Sequence, residues 1–491
     1  ALLGMGTLLA AWLVAHTVGR AVDRPLPRAM AFSVTAGLTS VSFSISFTWV
    51  EPLALLWLSA VLAAMAWSIG SRRPWAPIAV GAGASTAFLV HGRFLLVPLI
   101  WVAATIALAW PSLRRRDQGG PAVLVVTATT AVTGVGMVVA RWLRERLIDD
   151  AWELPRLDMD ARALNQIGEP GFPAALLTEI AGQLWYVTAS TFGLAPMGLI
   201  ALVATIAGRG PLTDERWRRT SAVVVAALLS VWMIGCLFMA GTIRSGAPRA
   251  DHLIYGRYVD QVAVVLAAVG AAALVSCSRR WGARASVASA ATMAALGAVA
   301  WWTRARTGAS ELPLLESTVS GLSSLPFDRP GWDVLRWTLV PLIGLTLIAL
   351  ARQIAPAAAA VTLCAILVMG SIAGAARARD AHLAWGNDEL HAGYPSAPGG
   401  YASARVAADT LDRRAYLFNL PSQQYALADE GWSLDVVQED SEELVRNLGD
   451  DTMVVVRDDL VQPPAGWCIR AKFHMVAVWM REAPRGPGCP T

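Results

Sequence analysis

The densest set of side chains able to do chemistry lies between Thr242 and Gln261, where TIRSGAPRADHLIYGRYVDQ places Arg244, Arg249, Asp251, His252, Tyr255, Arg257, Tyr258 and Asp260 between two long apolar runs. Charges so placed sit at a membrane edge rather than in open solvent. Arginine suits phosphate, because its planar fork donates two parallel hydrogen bonds and keeps its charge. Arg257 is the leading candidate for that contact, with Arg244 and Arg249 as further candidates. Tyr255 and Tyr258 beside it offer hydroxyl donors and rings that suit a lipid tail. The other reading is an interfacial belt of Tyr and Arg that anchors a helix. Asp251 and His252 pair either as a base with its orienting carboxylate or as a solvated loop pair.

Three smaller signals stand elsewhere. His91-Gly92-Arg93 is the sole polar break in residues 75–110, and charge at membrane depth faces either a cavity or, by snorkelling, the interface. Glu51 follows Trp49 at the mouth of a hydrophobic pair of runs and reads as a cavity-facing carboxylate or a helix cap. Asp158 and Asp160 form a D-x-D, a pattern that holds a divalent cation against phosphate oxygens and also arises by chance. That cation is the one cofactor the sequence leaves open. H-E-x-x-H, Walker-type, G-x-S-x-G and paired C-x-x-C patterns are absent, so zinc protease, ATPase and serine hydrolase readings lose their usual support.

The elements that position these residues are membrane spans. The 491 residues are 55% hydrophobic and 15% charged, against about a quarter charged for a soluble domain, and apolar runs recur at roughly the 20-residue length of a bilayer crossing. The net charge of +4 is carried by arginine, Lys472 being the sole lysine; nucleic acid is not implied. Arginine-dense short loops mark the cytoplasmic side. They occur at Arg20–Arg28, Arg72–Arg73, Arg114–Arg116, Arg209–Arg219 and Arg279–Arg284. The runs between them predict about twelve passes: residues 1–18, 29–47, 53–69, two short passes or a re-entrant hairpin in 75–110, then 121–140, 186–207, 221–240, 262–277, 285–302, 334–351 and 357–375. Pro173 opens a helically spaced apolar set, expected as an interfacial helix leading into the span at Tyr186. Both ends of the chain then fall outside. An outside start without a signal pattern fits a chain lacking an odd number of upstream spans.

The expected organisation is a transmembrane domain over 1–375 and an extracytoplasmic α/β domain over 376–491, in a multi-pass protein of the plasma membrane. In the second domain, 414–419, 432–437, 453–457 and 471–480 read as strands and 441–448 as a helix. Cys468 and Cys489 lie there and can pair in an oxidising compartment; Cys236, Cys277 and Cys364 lie in or at the ends of spans as small packing residues.

Phe47-Thr48-Trp49-Val50-Glu51-Pro52-Leu53 at an outer tip, the His91-Gly92-Arg93 break and Tyr255-Gly256-Arg257-Tyr258 opening a span together resemble the GT-C superfamily of membrane glycosyltransferases, particularly actinobacterial members that use polyprenyl-phosphate sugars. The likeness covers most of the chain as a pattern rather than through one specific motif. It implies inverting transfer of a sugar from a polyprenyl phosphate to an acceptor glycan, lipid or protein of the cell envelope, at the outer face of the bilayer. Arg257 would stabilise charge on the departing phosphate, with Tyr255, Tyr258, Arg249, Arg244, His91 and Arg93 as further donor-phosphate contacts. The C-terminal domain would help bind acceptor. In that family the general base sits in the first external loop, which three missing spans would supply; within this chain Glu51, Asp251 and His252 are the remaining candidates. A transporter or flippase of a lipid-linked glycan needs the same basic patch without a base, and a non-catalytic membrane subunit needs neither.

Overall fold

The structure, a computed structural model, describes residues 2–46, 51–71, 73–114, 119–151, 167–210, 214–244, 253–307, 316–322, 333–386, 402–407, 409, 432–449, 451–457, 461–473 and 476–481. It divides into two compact units, residues 1–148 with 157–378, and residues 149–156 with 379–491.

The first unit is helical because its apolar runs leave the backbone no partner but itself within a bilayer. Its helices are α1 (Leu2–Val22), α2 (Pro25–Gly37), α3 (Thr39–Ser46), α4 (Glu51–Ile69), α5 (Ala76–Val90), α6 (Leu96–Leu113) and α7 (Gly119–Ala151). They continue as α8 (Phe172–Ser190), α9 (Leu194–Ile206), α10 (Glu215–Arg244), α11 (Asp260–Ser276), α12 (Arg279–Thr307), α13 (Val334–Ile354) and α14 (Pro356–Gly386). Single 3-10 turns stand at Gly92–Leu95 and Gly256–Tyr258, and a kinked 3-10 segment at Glu316–Leu322. Among the described residues eight helices are long and apolar enough to cross a membrane, or nine if the bent pair α8 and α9 is one span; α5 and α11 are apolar but shorter. The protein is a polytopic α-helical membrane protein with a small C-terminal α/β domain. Leu124, Val135 and Val138 leave α7 with an outward apolar face, as lipid contact requires.

Three elements differ from the sequence expectation. The span expected over 29–47 is two helices, α2 from Pro25 and the short α3, parted at Leu38, whose backbone is extended. The boundary expected at Tyr186 is not one: α8 runs on through Ser190, and the chain turns by 104° at Thr191–Gly193. Phe192 and Gly193 take positive φ there (51° and 74°), which stops a right-handed helix. Ser289 of α12 donates to the Gly193 carbonyl at 2.5 Å and fixes the elbow. The helix expected to lie in the interface is also buried along one side, with Glu179, Gln183, Trp185 and Tyr186 all inaccessible.

α11 is the centre of the unit. It is apolar all round, and 15 of its 17 residues are buried, as expected of a helix with neighbours on every side. Against α9 it packs through glycine: a Cβ at Gly198 would overlap the Leu266 carbonyl, and one at Gly270 would overlap that of Leu194. Such reciprocal small-residue contact lets two backbones touch where hydrophobic burial supplies no drive. The open C-terminal carbonyls of α11 are capped by the buried Arg352, which donates from Nε to Leu274 (2.7 Å) and from Nη2 to Cys277 (2.6 Å). Several buried hydroxyls are satisfied inside their own helices, as where Thr35 donates to Ala31 (2.8 Å) and Thr205 to Ala201 (2.8 Å).

The second unit holds a five-stranded sheet of order β2-β1-β3-β5-β4, built from β1 (Ala402–Val406), β2 (Trp432–Val436), β3 (Met453–Arg457), β4 (Trp467–Phe473) and β5 (Val476–Arg481). β1 pairs in parallel with β2 and β3, and β5 pairs antiparallel with β3 and β4. α15 (Ser441–Arg446) is capped by Asp440, whose side chain accepts from Glu443 N. Its Leu444 joins Val454, Val456 and Trp479 in the core. The single strand expected over 471–480 is the β4–β5 pair, β1 was not foreseen, and the strand expected over 414–419 lies outside the described residues. Cys468 is disulfide-bonded; Cys489 lies outside the described residues.

Because the α9–α11 contact is backbone against backbone, Gly198→Ala is expected to lower the yield of monodisperse protein and its melting temperature in detergent, as overpacking costs ~1–3 kcal/mol or more. Gly134→Ala in α7, where a Cβ meets nothing within 4 Å, is expected to be neutral or mildly stabilising. Equal melting temperatures for the two variants would contradict this packing.

Candidate functional site

The site is built where three helix starts meet. Glu51 opens α4, Asp260 opens α11, and the Gly92–Leu95 turn opens α6; a helix N-terminus is the favourable end for a carboxylate. The Gly256–Tyr258 turn lies directly before α11, so Arg257 projects from a tight turn rather than from a span. Its placement depends on glycine, since a Cβ at Gly256 would enter the Tyr186 ring and one at Gly182 would overlap the Leu253 carbonyl. These two residues let the segment 253–258 lie against α8.

Arg257 and Glu51 form an ion pair through Nε and Oε1 across 206 positions of sequence. Glu51 is 3% exposed, whereas Arg257 keeps 29% of its side chain accessible. The pair is therefore asymmetric: its anion is buried and its cation reaches the surface. Glu51 Oε2 is buried without a hydrogen-bond partner. Burial acts to lower the pKa of Arg257, but Glu51 and then Tyr255 and Tyr258 more than offset it, and the value is raised.

Arg93 supports this pair from beneath. It is 1% exposed. Its Nη1 donates to the Arg257 carbonyl (3.2 Å) and to Gln261 Oε1 (3.3 Å), and its Nε donates to His91 Nδ1 (3.1 Å). Its guanidinium also lies over the Tyr258 ring, 4.7 Å from the centroid, and that ring packs against Tyr255 at 4.6 Å. His91 accepts at Nδ1 from both the Arg93 backbone N–H and its side chain, so the ring is held neutral with its proton on Nε2. Burial first, then Arg93, Arg257 and Arg144, push its pKa down to about 2. Arg144 of α7 stacks over Phe88 at 5.1 Å and approaches Gly92. Three arginines thus converge on a region holding one ion-paired carboxylate, a field that attracts an anion.

A second network lies behind the first. Asp260 accepts from the Tyr186 hydroxyl at Oδ1 (2.7 Å) and from the Ser320 hydroxyl at Oδ2 (2.6 Å), while Tyr186 itself accepts from Gly321 N–H (2.8 Å). All three side chains are 5% exposed or less. This network ties the turn at Glu316–Leu322 to α8 and α11. Between the two networks is a cavity of about 20 Å³ lined by Ser40, Ser44, Glu51, Asp260 and Gln261, room for about one water.

Of the residues singled out in the sequence, Glu51, His91, Arg93, Tyr255, Arg257 and Tyr258 come together. Arg244 ends α10 with its side chain outside the described residues; Arg249, Asp251, His252, Asp158 and Asp160 lie outside them altogether. Among the described residues no three His, Cys, Asp or Glu side chains gather as a metal site. Sequence reasoning missed Gln261, Arg144, Tyr186 and Ser320. Gln261 carried a signal, four positions after Arg257 in the first turn of an apolar helix; Tyr186 and Ser320 carried none.

His91 provides a test. Its folded pKa is depressed below the ordinary value of about 6.5, so its contribution to stability is complete above pH 6.5 and declines as pH falls toward the folded value. At pH 5 the unfolded chain binds the proton and the folded chain does not, a loss of at most ~2 kcal/mol. Thermal melts of wild type and His91→Asn from pH 7.5 to 5 are expected to differ in slope, the wild type losing more; parallel slopes would contradict a His91 held neutral by its arginine neighbours.

No protein-family model and no curated protein sequence matches the chain. Two solved structures of ArnT from Cupriavidus metallidurans match nearly all of it. The one bound to undecaprenyl phosphate has a TM-score of 0.50 at 15% identity, covering 99% of this chain and 84% of the other. The apo structure has a TM-score of 0.52 at 13% identity, covering 98% and 84%. At such identities the likeness concerns the fold alone: this chain shares the membrane fold of ArnT.

Proposed function

We propose that this protein is a GT-C-type glycosyltransferase that moves a sugar from a polyprenyl-phosphate donor to a cell-envelope glycan, lipid or protein. The observation that carries the reading is the Glu51–Arg257 pair, a partly exposed guanidinium oriented by a buried carboxylate and set in this fold. The reaction takes place at the outer face of the plasma membrane, and the C-terminal domain lies on that side to help hold the acceptor. ArnT with undecaprenyl phosphate bound supports the lipid class of the donor, and the resemblance in the sequence supports an actinobacterial-type envelope acceptor.

In this mechanism the donor phosphate docks on the accessible edge of Arg257, with the Tyr255 and Tyr258 rings beside the first lipid units. The acceptor oxygen attacks the anomeric carbon as the bond from that carbon to the phosphate oxygen breaks. The bonding pair leaves with the polyprenyl phosphate, and Arg257 neutralises the charge that builds there. Glu51 sets the direction of the guanidinium, and Arg93 fixes the backbone from which it projects. The acceptor proton passes to a general base; Asp260 is enclosed by Tyr186 and Ser320, whereas Glu51 keeps Oε2 without a partner and is a candidate for it. Asp251 and His252 stay candidates for it.

The test is turnover of a radiolabelled polyprenyl-phosphate sugar in detergent with an envelope glycan as acceptor. Arg257→Ala is expected to lower kcat/KM by about 10²–10³, the range for loss of one donor to a developing anion. Arg257→Lys keeps the charge, loses the fork, and is expected to fall between. Sugar transfer unchanged in Arg257→Ala would overturn the assignment, and lipid translocation in vesicles with no glycosidic product would replace the transferase with a flippase.

A further inference from the structure

A pair of hollows lies at the arginine-loop end of the helical unit, with no lining residue in common with the Arg257 turn. The two adjoin, sharing Thr17, Ala63 and Trp217. The first, about 110 Å³, is bounded by α1, α4, α9, α10 and α11 and lined by small apolar and hydroxyl side chains such as Val18, Leu62, Val224 and Val269. The second, about 450 Å³, lies among α1, α4 and α10, within the ~300–1,000 Å³ of ordinary ligand pockets. Its titratable lining is His16, Arg20 and Arg216, with no acidic side chain. Trp12, more than half exposed, stacks on His16 at 5.3 Å, the amphipathic ring expected at headgroup level.

Arg216 is held for this purpose. Its guanidinium lies where the side chain of Gly70 would otherwise be, and its Nη2 donates weakly to the Ala66 carbonyl at the end of α4 (3.4 Å). Its Nε is buried without a hydrogen-bond partner. The neighbouring Glu215 is engaged by Arg218 and Arg219, both at 3.0 Å, so it does not neutralise the hollow. An apolar forked cleft lined by two guanidiniums and by no carboxylate matches one class of ligand.

We propose that this cleft binds an anionic two-chain phospholipid, its acyl chains in the two hollows and its phosphate against Arg216 and Arg20. The lipid acts as a structural ligand wedged between α1, α4 and α10, and its binding is independent of the reaction at Arg257.

Native mass spectrometry of the full chain, delipidated in detergent and offered equimolar dioleoyl phosphatidylglycerol and dioleoyl phosphatidylcholine, tests this. Wild type is expected to retain phosphatidylglycerol preferentially, and millimolar inorganic phosphate is expected not to displace it. Arg20→Gln and Arg216→Gln should each reduce the preference roughly fivefold, the worth of one basic residue at an anionic lipid. Ala63→Phe, which fills the junction and leaves both arginines, should reduce retention of both lipids. If Arg216→Gln does not fold, Arg20→Gln and Ala63→Phe decide the matter. Equal retention of the two lipids by wild type, an unchanged preference in the arginine variants, displacement by phosphate, or displacement by undecaprenyl phosphate in place of phospholipid would each overturn the proposal.

Discussion

A carboxylate taken out of water inside a membrane protein is costly unless a cation or hydrogen-bond donors meet it; Tyr186 and Ser320 do so for Asp260, and Arg257 does so, as a cation, for Glu51. Glu51 begins α4 and Arg257 precedes α11, 206 residues away, so the pair fixes the mouth of the bundle as well as the direction of one guanidinium. Arg93 is drawn into the same arrangement from a third helix start and is spent on the Arg257 carbonyl, Gln261 and His91. Arg257 itself remains partly exposed. Burying the orienting carboxylate while leaving the guanidinium accessible makes an anion site whose positive charge cannot be relaxed by rotation of its partner.

The rest of the helical unit keeps those ends in register. α11 carries Asp260 and Gln261 at its first turn and glycine contact with α9 further along, so a shift of α11 would disturb both networks. Asp260, Tyr186, Ser320 and Gly321 hold a loop turn against two helices, and the 104° elbow between α8 and α9 brings Tyr186 to that position. At the opposite, arginine-rich end, Arg352 closes α11 and Arg216 rests on α4. Arginine contacts thus stand at both ends of α11, and between them α11 packs against α9 through glycine.

Much of this was legible in the sequence, for a physical reason: an Arg, His or Glu between runs of about 20 apolar residues is costly unless it has a role. That argument found Glu51, His91, Arg93, Tyr255, Arg257 and Tyr258 and the helical architecture around them. It could not pair Glu51 with Arg257, because a single sequence carries no distance between separate elements. Tyr186 and Ser320 were hidden for a different reason, being ordinary residues whose role comes from long-range contact with Asp260. The break at Leu38 is announced only by Gly37, a weak signal inside an apolar run, and the β4–β5 pair was merged because residues 471–480 hold no Gly, Pro, Asn or Asp to mark a turn. The positive φ at Phe192 was likewise unreadable, although Gly193 beside it is the residue type such an elbow uses.

The measurement that bears most directly on the account is a cryo-EM structure of the full chain in nanodiscs with undecaprenyl phosphate bound. The account predicts phosphate density within hydrogen-bond distance of the Arg257 guanidinium, the Glu51 contact retained, and the first isoprene units against Tyr255 or Tyr258. Phosphate density away from Arg257, at Arg216 or elsewhere, with the Glu51–Arg257 pair unchanged from the unliganded protein, would contradict it.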